Sequence, residues 1–133
     1  MAKAVVIILA VLVAGVLVLI SPFVYLGLKS RSQIRALQSR TDYPQIANAC
    51  VTLARSVTND SLIKPSDPRV PILLRSLSPK YLTGDSNSVR LEFHGGFAHY
   101  GYRVEQSETN AKQWSIFWYT EKGQQLLSTI SHD

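Results

Sequence analysis

A long apolar segment near the N-terminus constrains this chain more than any other feature. Residues 4–20 (AVVIILAVLVAGVLVLI) carry no charged or polar side chain, and after Ser21-Pro22 a second apolar stretch runs up to Lys29. About 25 uncharged residues form a helix of roughly 37 Å at 1.5 Å per residue, and a hydrocarbon core is about 30 Å thick. The sequence therefore predicts a transmembrane anchor over residues 1–28, with a bend at Pro22.

Other kinds of apolar segment fit this stretch less well. A cleaved secretory signal usually has an apolar core of about 7–15 residues and small residues at the cleavage site, whereas this run is longer and ends LISPFVYLGLKS. A buried core helix is usually shorter and amphipathic. A stem of the type IV pilin kind would need a processing site before the apolar run, and MAKAVVIIL has none. A retained anchor is the favoured interpretation, and a cleaved signal is its main alternative.

The positive charge of the chain is concentrated beside the apolar segment. Residues 1–40 contain five Lys or Arg and no acid, whereas residues 41–133 contain nine Lys or Arg and nine Asp or Glu. A nucleic-acid-binding domain would carry a basic face of its own, so the sequence predicts no nucleic-acid partner. We expect residues 29–40 to form a basic juxtamembrane stalk that contacts lipid headgroups. The side chains concerned are Lys29, Arg31, Arg35 and Arg40.

The charge balance also bears on the side of the membrane that holds the rest of the chain. Four basic residues follow the apolar segment and one, Lys3, precedes it. The positive-inside rule then favours a cytoplasmic C-terminal domain, with an extracytoplasmic domain as the alternative. The single cysteine, Cys50, cannot form an intramolecular disulfide and agrees with a reducing compartment. We expect it to be a small buried apolar residue.

Residues 41–133 predict one small soluble α+β domain. A helix is expected over residues 43–57, where Pro44 fits the first turn and apolar residues recur at helical spacing. A shorter helix is expected over residues 69–77, and from there the apolar period changes to two. The predicted sheet is a meander of roughly four antiparallel strands, at residues 80–83, 88–94, 97–102 and 114–120. Residues 124–130 read as a short helix or an edge strand, and the helix is preferred.

The two central strands are predicted to form a hairpin about Gly95-Gly96, a pair that suits a two-residue loop. Folding the chain there places Glu92 opposite His99 and Leu91 opposite Tyr100. This register brings the apolar residues to one face, and a slip of one residue would scatter them. The residues on that face are Val89, Leu91, Phe93, Ala98, Tyr100 and Tyr102.

The polar face of the same hairpin carries the only cluster that suggests chemistry. Glu92, His94 and His99 are residue types that bind zinc or another divalent ion. An ordinary cross-strand Glu–His pair is the preferred explanation of the pattern. No HExxH, CxxC, phosphate-binding loop or GxSxG sequence is present. The sequence therefore assigns no catalytic residue, predicts no cofactor and no small-molecule ligand, and leaves enzymatic activity as the less favoured possibility.

These features together predict a single-pass membrane protein that presents a small interaction or regulatory domain near the bilayer. The expected partners are the bilayer and another membrane or peripheral protein, contacted through the exposed aromatics Phe97 and Tyr119. One alternative is a metal-binding or enzymatic domain centred on Glu92, His94 and His99. Another is an accessory subunit of a larger membrane complex, whose helix packs through small residues around Ala14-Gly15.

Overall fold

A computed structural model describes residues 2–59, 61–95 and 98–133 of the chain, and at positions 94, 95 and 98 it describes the backbone only. The described residues form three helices followed by, or interleaved with, the strands of one antiparallel sheet. The elements in chain order are α1 (Ala2–Gln38), α2 (Tyr43–Ser56), β1 (Ser61–Ile63), α3 (Ile72–Ser76), β2 (Tyr81–Gly84), β3 (Ser88–Gly95), β4 (Ala98–Gln106), β5 (Gln113–Thr120) and β6 (Gly123–Ser131).

Helix α1 is long and apolar enough to cross a membrane, and the structure buries none of its apolar stretch. Eighteen large apolar side chains between Val5 and Leu28 are exposed along it. Burying one such side chain is worth about 1.5–3 kcal/mol, and a folded domain is stable by only about 5–15 kcal/mol. Burying all of these side chains would therefore release more free energy than the folding of a typical domain, and α1 is long enough to bury them across a membrane.

The second half of the chain folds as one sheet with helices on one face. The strands follow one another in the order β1-β2-β3-β4-β5-β6, each antiparallel to the next. One face of the sheet packs against α2 and the end of α1 and forms the core, and α3 contributes to this core beside α2. Helix α2 begins with Pro44 in its first turn and buries the face containing Ile46, Cys50 and Leu53, as its apolar spacing predicts. We call the opposite side of the sheet the outer face.

The α+β class agrees with the sequence prediction, but the sheet has six strands among the described residues rather than four. Strand β1 has three residues, too few to show a period of two. Strand β6 replaces the helix preferred for residues 124–130. Its sequence suits either state, and the open edge of β5 supplies a partner for its backbone. Tertiary pairing therefore overrides a weak local preference.

The β3–β4 hairpin exists, but its register differs from the predicted one by two residues. Gly95 pairs with Ala98, so Gly95 belongs to strand β3 and not to the loop that was predicted to contain it. Glu92 consequently lies opposite Gly101, and His94 lies opposite His99. A shift of two residues leaves every side chain on the same face. The apolar pattern therefore predicts correctly which face each side chain occupies, but it does not determine which residues of the two strands are paired.

The C-terminal end of α1 is part of the core. Leu37 is buried and Ile34 is partly buried against the sheet. The hydroxyl of Tyr100 donates to Gln33 Oε1 at 2.6 Å, and that of Tyr102 donates to the Leu37 carbonyl at 2.5 Å. The predicted stalk, residues 29–40, is thus docked on the domain along one side. Its division from the anchor at residue 28 falls inside one continuous helix and stays a prediction.

Candidate functional site

The outer face of the sheet carries a row of residues that runs directly across four strands. Because Leu91 and Phe93 of β3 point into the core, Glu92 points to the outer face. The register places Tyr81 of β2 beside Glu92, Gly101 of β4 beyond it and Tyr119 of β5 next. Within this row, the side chains of Glu92 and Tyr119 are in direct contact.

Glu92 is only 4% exposed although it belongs to the outer face. The Tyr119 hydroxyl donates to Glu92 Oε2 and lies 3.2 Å from the Leu91 carbonyl oxygen. On the other side, His99 Nδ1 lies 3.0 Å from Glu92 Oε1. A buried carboxylate needs such partners, since an unpaired one is costly. Each carboxylate oxygen of Glu92 therefore has a partner within the protein.

Gly101 makes the contact between Tyr119 and Glu92 possible. It lies between them on β4, and Tyr119 reaches over it to β3. A Cβ atom at position 101 would lie 1.8 Å from the Leu91 carbonyl oxygen and 3.0 Å from the Tyr119 hydroxyl. No side chain fits in that space, so a glycine is required at this point of the sheet.

Electrostatics keep Tyr119 in its neutral form. Burial raises the pKa of the Tyr119 phenol most, and the hydrogen bond to Glu92 and the charge of Glu92 raise it further. The Arg90 guanidinium, 5.4 Å from the centre of the Tyr119 ring, acts in the opposite direction on this pKa. A neutral phenol donates a hydrogen bond to the carboxylate and is not a nucleophile. The arrangement resembles a fixed polar network more than an open catalytic site.

The metal hypothesis finds two of its three residues in contact. The side chains of Glu92 and His99 meet as diagonal neighbours on adjacent strands rather than directly opposite one another. The backbone of His94 pairs with that of His99, and its side chain lies outside the described residues. Among the residues that the structure describes, no group of three metal-binding side chains comes together. A metal at this place stays a prediction.

The two aromatic residues predicted to contact a partner have different outcomes. Phe97 lies outside the described residues. Tyr119 is half-buried on the outer face, and its hydroxyl is occupied by Glu92. Half-buried Phe117 and 55% exposed Leu126 form a cross-strand apolar pair on the same face. Leu126 was not expected there because residues 124–130 were assigned to a helix.

The basic residues predicted to meet lipid also differ in their surroundings. Lys29, Arg31 and Arg35 are exposed on α1, with Arg31 and Arg35 one turn apart on the side away from the docked face. Arg40 lies beyond the helix and forms two hydrogen bonds with Asp42, at 2.9 and 2.7 Å. These bonds raise the pKa of the Arg40 guanidinium and lower that of the Asp42 carboxyl. Three of the four side chains are therefore free of a carboxylate partner among the described residues.

The single cysteine and the last strand are two further features of the domain. Cys50 is fully buried in the core, and burial raises the pKa of its thiol, which makes it inert toward nucleophilic chemistry. Strand β6 forms one edge of the sheet over nine residues that include neither a charged residue nor a proline.

No protein-family model matches this chain, and neither a curated protein nor a solved structure shows significant similarity to it.

Proposed function

We propose that this chain is a single-pass membrane protein that holds a small α+β interaction domain against the bilayer surface. The observation that carries the proposal is the division of α1 into two parts. Its first part is apolar and exposed on all sides, and its last two turns pack against the core of the domain along one side. Since one helix contains both, the domain has a defined height and orientation relative to the anchor instead of swinging on a flexible linker.

Charge supports the same arrangement. Lys29, Arg31 and Arg35 begin where the apolar stretch ends, which is where phosphate headgroups would lie. The positive-inside rule makes the cytoplasm the proposed side for the domain. Tyr25 lies one turn before Lys29, a position suited to an aromatic residue at the membrane interface.

The open edge of β6 is the surface best suited to a protein partner. Exposed edges with unpaired backbone groups are templates for strand addition, and proteins usually block them with charges, prolines or short strands. Edge strand β1 follows that rule, since it has three residues and is followed by Lys64-Pro65. Edge strand β6 has nine residues with no charge and no proline, and its one irregularity is a shift in its pairing with β5 between Ile116 and Phe117. We propose that an extended segment of another protein pairs with it.

The backbone of β6 allows this edge to be tested. The His132 N–H donates to the Lys112 carbonyl, and pairing alternates along an antiparallel ladder. The backbone groups of Ile130 therefore face β5, and those of Thr129 face the open edge. Proline at position 129 would remove a donor from the edge and leave the internal ladder intact.

The experiment is purification of the full chain from native membranes in mild detergent. A stoichiometric protein partner should accompany the wild-type chain, be lost from Thr129→Pro and be retained by Thr129→Val, which keeps the N–H. Circular dichroism would show that both variants fold. A wild-type chain that purifies alone, or a partner equally retained by Thr129→Pro, would contradict the edge as the contact.

The contact between Glu92 and His99 keeps metal binding as a second candidate. Zinc binding would displace the His99–Glu92 pair and depend on both residues. Calorimetric titration of the full chain with zinc tests it. Tight binding that His99→Ala abolishes would support it, and absence of heat with an unchanged melting temperature would reject it.

A further inference from the structure

We infer that the end of the sheet at the β3–β4 hairpin rests on the bilayer, where Lys80 and Lys122 bind the phosphates of anionic lipid headgroups. This inference rests on the proposed function, because it takes α1 as the anchor. It adds a lipid-binding surface on the folded domain, built from residues distant in sequence from the anchor.

The direction of α1 over the sheet follows from two contacts. Tyr100 of β4 meets Gln33 of α1, and Tyr102 of β4 meets Leu37. Two residues of strand advance about 6.6 Å, and four residues of helix advance about 6 Å. The two elements therefore run side by side in the same direction. Toward its N-terminus, β4 leads to the hairpin end of the sheet. In the same direction, α1 leads past that end to the anchor.

The rise per residue also gives the position of the hairpin end of the sheet relative to the end of the apolar stretch of α1. Gln33 lies five residues after Leu28, the last residue of the predicted anchor, which is about 7.5 Å of helix. Ala98 lies two residues before Tyr100, about 6.6 Å nearer the anchor. The first residue of β4 is thus level with the end of the apolar stretch. A helix crossing the membrane near its normal would bring this end of the sheet to the headgroups.

Two exposed lysines lie at this end, one on each side of the hairpin. Lys80 immediately precedes β2, and its N–H donates to the Glu92 carbonyl, which places it level with Phe93 and Tyr100. Lys122 lies in the turn between β5 and β6, just beyond the pair formed by Thr120 and Tyr100. Neither side chain has a carboxylate partner among the described residues.

Charge differs between the two ends of the sheet. The hairpin end carries Lys80 and Lys122, with Lys64 and Arg69 just beyond the end of β1, against the acids Asp67 and Glu121. It lies beside Lys29 and Arg31 of α1. The far end, formed by the β2–β3 turn, the β4–β5 loop and the C-terminal residues, carries the acids Asp85, Glu108 and Asp133 with two cations, Lys112 and Arg55. An anionic membrane would attract the first end and repel the second.

The positions of Lys80 and Lys122 suit a lipid surface better than a soluble phosphate compound. A soluble phosphate compound would need an enclosed site, whereas both lysines are exposed and lie on opposite sides of the hairpin. Two exposed lysines at one height beside a membrane helix match a planar array of phosphates. Free phosphate is therefore an outcome that the test must separate.

The test uses the full chain in vesicles of phosphatidylcholine, with or without phosphatidylglycerol. Because Cys50 is buried, a fluorophore can be attached to one added cysteine. Gln124→Cys reports on the hairpin end and Ala111→Cys on the far end, and both positions are exposed. Leu19→Cys reports on the anchor. A nitroxide on the lipid headgroup quenches nearby fluorophores, and a nitroxide on the acyl chain quenches those within the membrane.

Headgroup nitroxide should quench the label at position 124 and spare the label at position 111. In anionic vesicles, Lys80→Gln with Lys122→Gln should weaken the surface contact about five-fold per lysine, the equivalent of about 1 kcal/mol each. Lys112→Gln is the matched control and should have no effect. High salt should remove the difference between wild type and double variant, whereas inorganic phosphate at equal ionic strength should do no more than chloride.

The outcomes separate the two proposals. If acyl-chain nitroxide fails to quench the label at position 19, the anchor itself is wrong. If position 19 is quenched but positions 124 and 111 are quenched equally, the anchor stands and the inferred lipid surface is overturned. Equal quenching of wild type and double variant, or specific release by phosphate, would also overturn the role of the lysines.

Discussion

Gly101 decides whether Tyr119 and Glu92 can meet on the outer face. A methyl group at this position would lie 1.8 Å from the Leu91 carbonyl oxygen, a backbone atom that cannot move aside cheaply. We expect Gly101→Ala to lower the free energy of unfolding of the full chain in detergent by about 3 kcal/mol. Tryptophan fluorescence during urea unfolding measures it, since Trp114 and Trp118 are buried in the sheet.

A matched control is Gly27→Ala. Position 27 has no atom within 4 Å of an added Cβ, so this change should leave the unfolding of the domain unaltered. Equal stability of Gly101→Ala and wild type would show that the strands do not approach as described.

The hydroxyl of Tyr119 protects a buried carboxylate oxygen of Glu92. Tyr119→Phe leaves that oxygen without its donor, and we expect a loss of about 1–3 kcal/mol in the free energy of unfolding. His99→Ala should cost less, because the His99 side chain is largely exposed.

The double variant Tyr119→Phe with Glu92→Ala separates a direct bond from general packing, because alanine removes the acceptor. Residues in contact give non-additive changes of about 0.5–3 kcal/mol. Additive losses would contradict the hydrogen bond between Tyr119 and Glu92.

At the scale of elements, the fixed orientation of the domain relative to the anchor depends on the packing of the C-terminal end of α1 against the sheet. Leu37 is 5% exposed in the core, so we expect Leu37→Ala to cost about 2–5 kcal/mol. Amides of residues 30–38 should then exchange hydrogen faster in detergent-solubilised protein, as the last turns separate from the sheet. Arg35→Ala, on the exposed side of the same helix, should leave the exchange unchanged. Unaltered exchange in Leu37→Ala would mean that these turns are not held by the core.

The sequence predicts elements with strong periodicity and misses those that depend on partners. Helix α2 and the central strands follow from residue spacing alone. Strand β6 does not, because Gln124–Ile130 suits helix and strand alike and only the edge of β5 selects between them. The docking of α1 rests on Ile34 and Leu37, a stripe too short to read as a core face.

The candidate site shows a similar division. The sequence places Glu92 and His99 on one polar face, and the two side chains do meet. It does not show that Tyr119 reaches Glu92, because this contact depends on a register set two residues away from the predicted one and on the missing side chain of Gly101. Apolar alternation fixes a face but not a register that differs by an even number of residues.

At the scale of the whole molecule, three regions follow one another along α1: an apolar surface, a group of basic side chains and the turns that pack against the domain. The exposed apolar part of α1 comes first, the exposed cations of α1 follow, and the docked domain comes last. A second copy in the same membrane cannot pair with β6 in the antiparallel direction, since such pairing requires a two-fold axis perpendicular to the sheet. Such an axis would reverse the direction of α1, which runs alongside β4. The geometry therefore favours a different protein at that edge.

The most direct test of the account is fractionation of cells that produce the full chain, with an alkaline carbonate wash of the membranes and intact-mass measurement of the product. We expect the protein to stay in the washed membranes and its mass to include residues 4–28. Recovery in the soluble fraction, or a product that begins after residue 28, would contradict it.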